Sequence, residues 1–137
     1  MEKSGLSSAT PQLIPVTPFD LVVFGAAGDL SLRKLIPSLF HRWRDGQIPA
    51  ASRIIGVSRT AMDDMGFRTL ARESFAKFHP SEKLNDAEWV KFAGLLSYAE
   101  VDAANRDGGW SALAAKLEGG ESKQRVFYPV SYTHLTL

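Results

Sequence analysis

The chain has 137 residues, 45% of them apolar and 23% charged, with a formal net charge of +1 and no cysteine. That length fits one domain with a real core, and the scattered charge gives no basic stripe for nucleic acid or an anionic membrane surface. Without cysteine there is no disulfide, thiolate metal site or thiol nucleophile in this sequence, which is compatible with a reducing cytoplasm.

Residues 1–18 hold Ser, Thr, Gln and three prolines but no continuous apolar h-region, so they read as a mobile leader and not as a signal peptide. No apolar run approaches the ~20 residues of a membrane helix. Leu21 to Phe24 is short and continuously apolar, as expected of a strand buried on both faces of a parallel sheet. A helix follows from Asp29 to about Asp45, with Leu32, Leu35, Ile36, Leu39 and Trp43 forming one stripe. Pro37 lies inside it, where the missing N–H and the crowded Arg33 carbonyl predict a bend. Arg53 to Ser58 is a second strand. Thr60 and Asp63 mark a capped helix start that runs to Phe78, with Phe67, Leu70, Ser74, Phe75 and Phe78 on one side. Asn85 and Glu88 form a capping-box pair ahead of Trp89, Val90, Phe92 and Leu95. A weaker strand spans Leu96 to Val101. Gly108 and Gly109 precede a helix from Trp110 to Leu117, and Gly119 and Gly120 close it. Arg125 to Tyr128 is a fourth strand. This alternation predicts an α/β fold: a Rossmann-like parallel sheet with helices on both faces, incomplete within these residues.

The first strand runs into Gly25-Ala26-Ala27-Gly28-Asp29-Leu30-Ser31. A strand, a glycine turn and a helix N-terminus in that order form an anion site, because the first N–H groups of the helix are free and the macrodipole favours negative charge. Gly25 allows the sharp exit. Gly28 lets the backbone approach a pyrophosphate, and Ala26 and Ala27 add no bulk. Ser31 lets the helix pack close to the sheet. Asp29 suits the first turn and caps free N–H groups. A purely structural glycine turn is the bland alternative. The second strand ends in Ser58-Arg59-Thr60 with no acid before Asp63. An acid there would hold the ribose 2′-hydroxyl of NAD, whereas an arginine accepts a 2′-phosphate, to which Ser58 and Thr60 add hydroxyl bonds, so the cofactor reads as NADP. A solvated arginine opening a helix is the competing reading. The residues themselves leave three functions open: a dehydrogenase, a non-catalytic NADP-binding module, and a sugar-nucleotide epimerase sharing the turn.

Gly25-x-x-Gly28-Asp29-Leu30-Ser31, followed by Arg33-Lys34, Leu35-Ile36, Pro37 and Leu39-Phe40, closely resembles the opening of glucose-6-phosphate 1-dehydrogenases. Ile55 to Arg59 resembles the second strand of that family and Arg125 to Tyr128 its fourth. The resemblance covers residues 19–128, a partial dinucleotide-binding domain, and implies oxidation of glucose 6-phosphate at C1 with NADP. It places Lys34 between the cofactor and the sugar, Tyr128 beside the nicotinamide half, and Val101 and Asp102 on the adenine side. It also implies a cytoplasmic homo-oligomer whose partner is a small sugar phosphate, with neither nucleic acid nor membrane. Ser31 stands where the family usually has Ala. Residues 129–137 show no likeness to the family and read as unrelated residues joined to a truncated domain.

The catalytic histidine and the sugar-phosphate residues of the family lie further along than this sequence reaches, so no catalytic residue and no metal ligand is assigned, and these 137 residues alone are expected to be inactive. His134 falls in the unmatched tail. His41 and His79 read as lone helix-end residues, and no His–acid pair within residues 19–128 is expected to offer a base for the C1 hydroxyl. Trp43, Trp89 and Trp110 read as core.

Overall fold

A computed structural model describes residues 17–102, 109–119 and 124–129. Gly108, Gly120, His134 and nearly all of the leader and tail lie outside these residues. The elements, in chain order, are β1 (Phe19–Phe24), a π-helical turn (Ser31–Leu35) leading into α1 (Ile36–Arg44), β2 (Arg53–Ser58), α2 (Asp64–Phe78), α3 (Asp86–Ala93), β3 (Leu96–Glu100), α4 (Trp110–Leu117) and β4 (Gln124–Pro129). The strands form one sheet in the order β3-β2-β1-β4, and every pairing is parallel. The predicted fold class is therefore the observed one.

Both faces of the sheet are covered, which is why its central strands read as unbroken apolar runs. On one face Val23, Ile54 and Leu96 meet Ile36, Leu39 and Phe40 of α1, Phe67 and Phe75 of α2, and Trp89 and Phe92 of α3. Phe40 sits at the centre of this layer, with ring centroids 5.4 Å from Phe92, 5.5 Å from Phe75 and 5.7 Å from Trp89. On the other face Val22, Ile55, Val57, Ala99 and Val101 pack against Leu113 of α4. At the sheet's amino end the buried Asp20 carboxylate accepts from Arg53 Nε at 2.8 Å and Nη2 at 2.6 Å. Arg53 also donates to the Leu117 and Glu118 carbonyls, which fastens the end of α4 to the sheet.

Some local expectations hold and others are corrected. Pro37 does lie inside the helix, as expected: the helical run is continuous from Asp29 through Arg44, and the backbone accommodates the missing N–H next to a widened turn. The preceding turn widens, with the Ile36 amide reaching back five residues to the Ser31 carbonyl. Asp63, not Thr60, caps α2, accepting from the Gly66 amide at 2.8 Å. The Asn85 cap forms as expected, on the Glu88 amide at 3.1 Å. Val90 is 69% exposed, because Trp89, Phe92 and Ala93 form the inward face of α3. Trp110 is also exposed, leaning on Phe24 with ring centroids 6.5 Å apart.

β3 is an edge strand, and α2 covers that edge. Outward-facing backbone groups of β3 are taken by side chains: the Tyr98 amide donates to Asp64 Oδ1 at 2.8 Å, and Arg68 Nε donates to the Leu96 carbonyl at 2.9 Å. Such pairing blunts an edge that would otherwise template another strand. Lys116 Nζ closes the site over both oxygens of Asp64 at 2.8 and 2.9 Å. Burial alone would raise the Asp64 carboxyl. The hydrogen bonds from Lys116 and Tyr98, with the charges of Lys116 and Arg68, outweigh it and hold the carboxyl below its ordinary value. A lowered carboxyl stabilises the fold above its unfolded pKa of ~3.9, and that contribution is lost as pH falls through the folded value. Asp64→Asn should therefore lower Tm at neutral pH, and the gap to wild type should close below pH ~4. Tm measured across that range checks this, and a gap independent of pH would leave the ion pair without a stabilising role.

Candidate functional site

The chain steps from β1 to β2 to β3 in one direction, then places β4 on the far side of β1. The sheet order thus reverses at β1, and in open α/β sheets ligands bind outside the carboxyl ends of the strands at such a switch point. The loop leaving β1 there is the glycine turn. The register sets Phe24 beside Val57 and Pro129, so the ends of β2 and β4 flank it.

Gly25 leaves the strand with φ +76°, a conformation that disfavours any side chain. Its amide and that of Ala26 both donate to the Val57 carbonyl, at 2.8 and 3.1 Å. The Gly28 amide donates to the Gly25 carbonyl at 3.0 Å, and the Leu32 amide to the Gly28 carbonyl at 3.1 Å. Among the described residues, the amides of Ala27, Asp29, Leu30 and Ser31 have no backbone acceptor. Those four donors are unspent, as the first amides of a helix are, and free amides of this kind suit an anion. Gly28, Asp29 and Leu30 are exposed at the mouth, whereas Ala26 is buried in the floor. That floor depends on Gly56 of β2, where a Cβ would come within 2.8 Å of Ala26 Cβ and 2.7 Å of Phe67 Cζ.

Asp29 does not cap the helix: its carboxylate faces Arg33 one turn on, at 3.6 Å. Ser31 is fully buried, consistent with close helix–sheet contact, and its hydroxyl has no hydrogen-bond partner. Lys34 is exposed, in a cleft shared with Arg33, Pro37, Ser38, His41, Phe78 and His79.

At the end of β2, Arg59 is exposed and without a partner among the described residues. Its neighbours are not free. Ser58 Oγ lies 2.5 Å from the Tyr98 hydroxyl and accepts from the Thr60 amide at 3.2 Å. The same hydroxyl donates to the Thr60 carbonyl at 2.6 Å, which leaves the Ser58 proton directed at Tyr98. Val101 follows β3, its amide on the Ser58 carbonyl at 2.8 Å and its side chain in the core, with Asp102 half-buried after it. Tyr128 pairs with Val23 and is 40% exposed. The loop, Arg59 and Tyr128 thus share one end of the sheet, and Val101 contributes backbone there.

Tyr98 and Gly56 carry this site from beneath, and sequence reading did not single them out, since a tyrosine in a strand and a glycine in a strand have many ordinary uses. The reading of His41 as a lone residue is corrected: its Nε2 lies 2.8 and 3.0 Å from the Glu82 carboxylate oxygens, with Arg44 beside it. That pair sits at the carboxyl end of α1, roughly 20 Å from the glycine turn by helical rise. His79 stacks on Phe75 and contacts the Arg33 carbonyl at 3.2 Å. Among the described residues no group of three His, Asp or Glu side chains could hold a metal, and no helix is long and apolar enough to cross a membrane.

Residues 22–134 match the family described as glucose-6-phosphate dehydrogenase, NAD binding domain. The chain is 44% identical over 117 residues to the glucose-6-phosphate 1-dehydrogenase of Rhizobium meliloti (strain 1021), covering 85% of this chain and 24% of that protein. It is 40% identical over 114 residues to the enzyme of the same name from Gluconobacter oxydans (strain 621H), covering 82% of this chain and 23% of that one. The solved structure of glucose-6-phosphate 1-dehydrogenase from Mycobacterium avium superposes with a TM-score of 0.69 at 28% identity, over 82% of this chain and 23% of that one. The chain spans about a quarter of the length of the relatives it matches.

Proposed function

The chain belongs to the glucose-6-phosphate dehydrogenase NAD-binding-domain family, and from that premise we propose that it forms the coenzyme-binding part of an enzyme oxidising glucose 6-phosphate at C1 with NADP. The residues fit the coenzyme's pyrophosphate. Gly28 leaves a cradle that a Cβ would fill, 3.1 Å from the Gly25 carbonyl, and the amides beside it are unspent. The coenzyme, when bound, supplies the hydride acceptor. This chain's residues bind and orient it: amides of the 27–31 turn on the pyrophosphate, Arg59 on the 2′-phosphate, Tyr128 on the nicotinamide side, and Val101 and Asp102 on the adenine side. Lys34 lies toward the sugar phosphate. On the family relation alone we extend the reading to a homo-oligomer of the cytoplasm.

One observation carries the choice of NADP. Arg59 is free, whereas both acids of the following segment are committed, Asp63 to the Gly66 amide and Asp64 to Lys116 and Tyr98. The carboxylate in the β2–α2 connection, Asp63, lies four residues beyond Arg59 and has one oxygen turned to its own helix as the cap. A charge-assisted hydrogen bond contributes about 1.5–3 kcal/mol, so Arg59→Ala should weaken NADP about tenfold or more and leave NAD nearly unchanged. Titration calorimetry of the intact protein with both coenzymes decides it, and equal losses would remove the assignment.

A further inference from the structure

We propose that Tyr98 is a positioning residue for Arg59, its hydroxyl fixing the backbone from which the arginine meets the 2′-phosphate. The inference rests on the reading of Arg59 given above. Tyr98 belongs to β3, two strands from the strand that leads into the glycine turn. Its own placement does not depend on the hydroxyl. The side chain is 3% exposed, the ring lies 5.4 Å from Phe67 between centroids, and the amide is held by Asp64.

The hydroxyl is spent entirely on the segment around Arg59. It accepts from Ser58 Oγ at 2.5 Å, donates to the Thr60 carbonyl at 2.6 Å, and lies 3.2 Å from the Ser58 carbonyl. The Thr60 amide closes the knot on Ser58 Oγ at 3.2 Å. One acceptor would satisfy a buried phenol; here the residues on both sides of Arg59 are tied to a single buried atom. The root of the arginine is thereby fixed while its guanidinium stays free for a ligand. Burial holds the phenol above its ordinary pKa against the opposing Ser58 hydrogen bond, so it remains a donor at neutral pH. A segment held in its bound conformation loses less freedom on binding, and the gain falls on the ligand group that the segment meets. For Arg59 that group is the phosphate that distinguishes NADP from NAD.

The test is a double-mutant cycle on the intact protein, with Kd for NADP and NAD measured for wild type, Tyr98→Phe, Arg59→Ala and the double variant. Tyr98→Phe keeps the ring and removes the knot. It should weaken NADP about three- to tenfold with NAD unchanged, and have no further effect in the Arg59→Ala background. Where Tyr98→Phe loses its circular dichroism, Ser58→Ala takes its place with the same expected pattern. If Arg59→Ala leaves the preference for NADP intact, the reading of Arg59 falls and this inference with it. If Arg59→Ala alters that preference while the knot variants leave it untouched, or weaken both coenzymes alike, Tyr98 is structural and this inference alone is overturned.

Discussion

Gly28→Val is expected to abolish coenzyme binding while the domain stays folded. Its backbone is not in the left-handed region, so valine meets no conformational barrier there. The added Cβ would stand 3.1 Å from the Gly25 carbonyl, tight enough to require a small shift of the turn. Gly28 is exposed, so the rest of the side chain projects into the mouth and not into the core. There it occupies the path of the pyrophosphate to the amides of Ala27, Asp29, Leu30 and Ser31. Losing two or more hydrogen bonds to a charged group removes roughly 3 kcal/mol or more, a hundredfold in affinity at least. Both NADP and NAD should be affected, unlike the selective loss at Arg59. Fluorescence titration reads the binding and circular dichroism the fold. Retained affinity would leave the turn with a structural role only.

Gly56→Val should have the opposite profile, with its main effect on stability. A Cβ there would lie 2.7 and 2.9 Å from Phe67 ring carbons and 2.8 Å from Ala26 Cβ, and both neighbours are fully buried. Neither can withdraw without disturbing its own layer: Phe67 packs on Tyr98, and Ala26 is anchored to the Val57 carbonyl. Overpacking of this kind costs about 3 kcal/mol or more at such a site, or roughly 10 °C in Tm for a domain of this size. Thermal unfolding by circular dichroism measures it. Combining the change with Phe67→Leu should recover part of the loss. A Tm equal to wild type would show that the Phe67 ring has room to move.

Much of the fold was legible because its signals are local. Val22 and Val23 sit in an apolar run bounded by Gly25, Asn85 caps its own helix, and the stripe of α1 repeats at helical spacing. The glycine turn was legible for the same reason, since strand, turn and helix N-terminus are consecutive. What escaped depends on residues far apart in sequence. The amides of Gly25 and Ala26 look available until the Val57 carbonyl is seen to take both. Glu82 gives His41 a partner from 41 residues away. Nothing near Ser58 in sequence shows that its hydroxyl pairs with Tyr98, 40 residues on. Trp110 was misjudged because an apolar residue in a short helix says little about which way it turns.

The strand order has a consequence for how the chain is made. Every side chain of the larger apolar layer lies between Phe19 and Tyr98, whereas the second neighbour of β1 begins at Gln124. A ribosome adding ~5–20 residues per second takes roughly one to five seconds to cover that interval. Collapse of a hydrophobic layer takes microseconds. A nascent chain therefore has time to assemble β1, β2 and β3 under their helices long before β4 exists. Throughout that wait one side of the central strand is an open row of amides and carbonyls, able to accept a strand from another nascent chain.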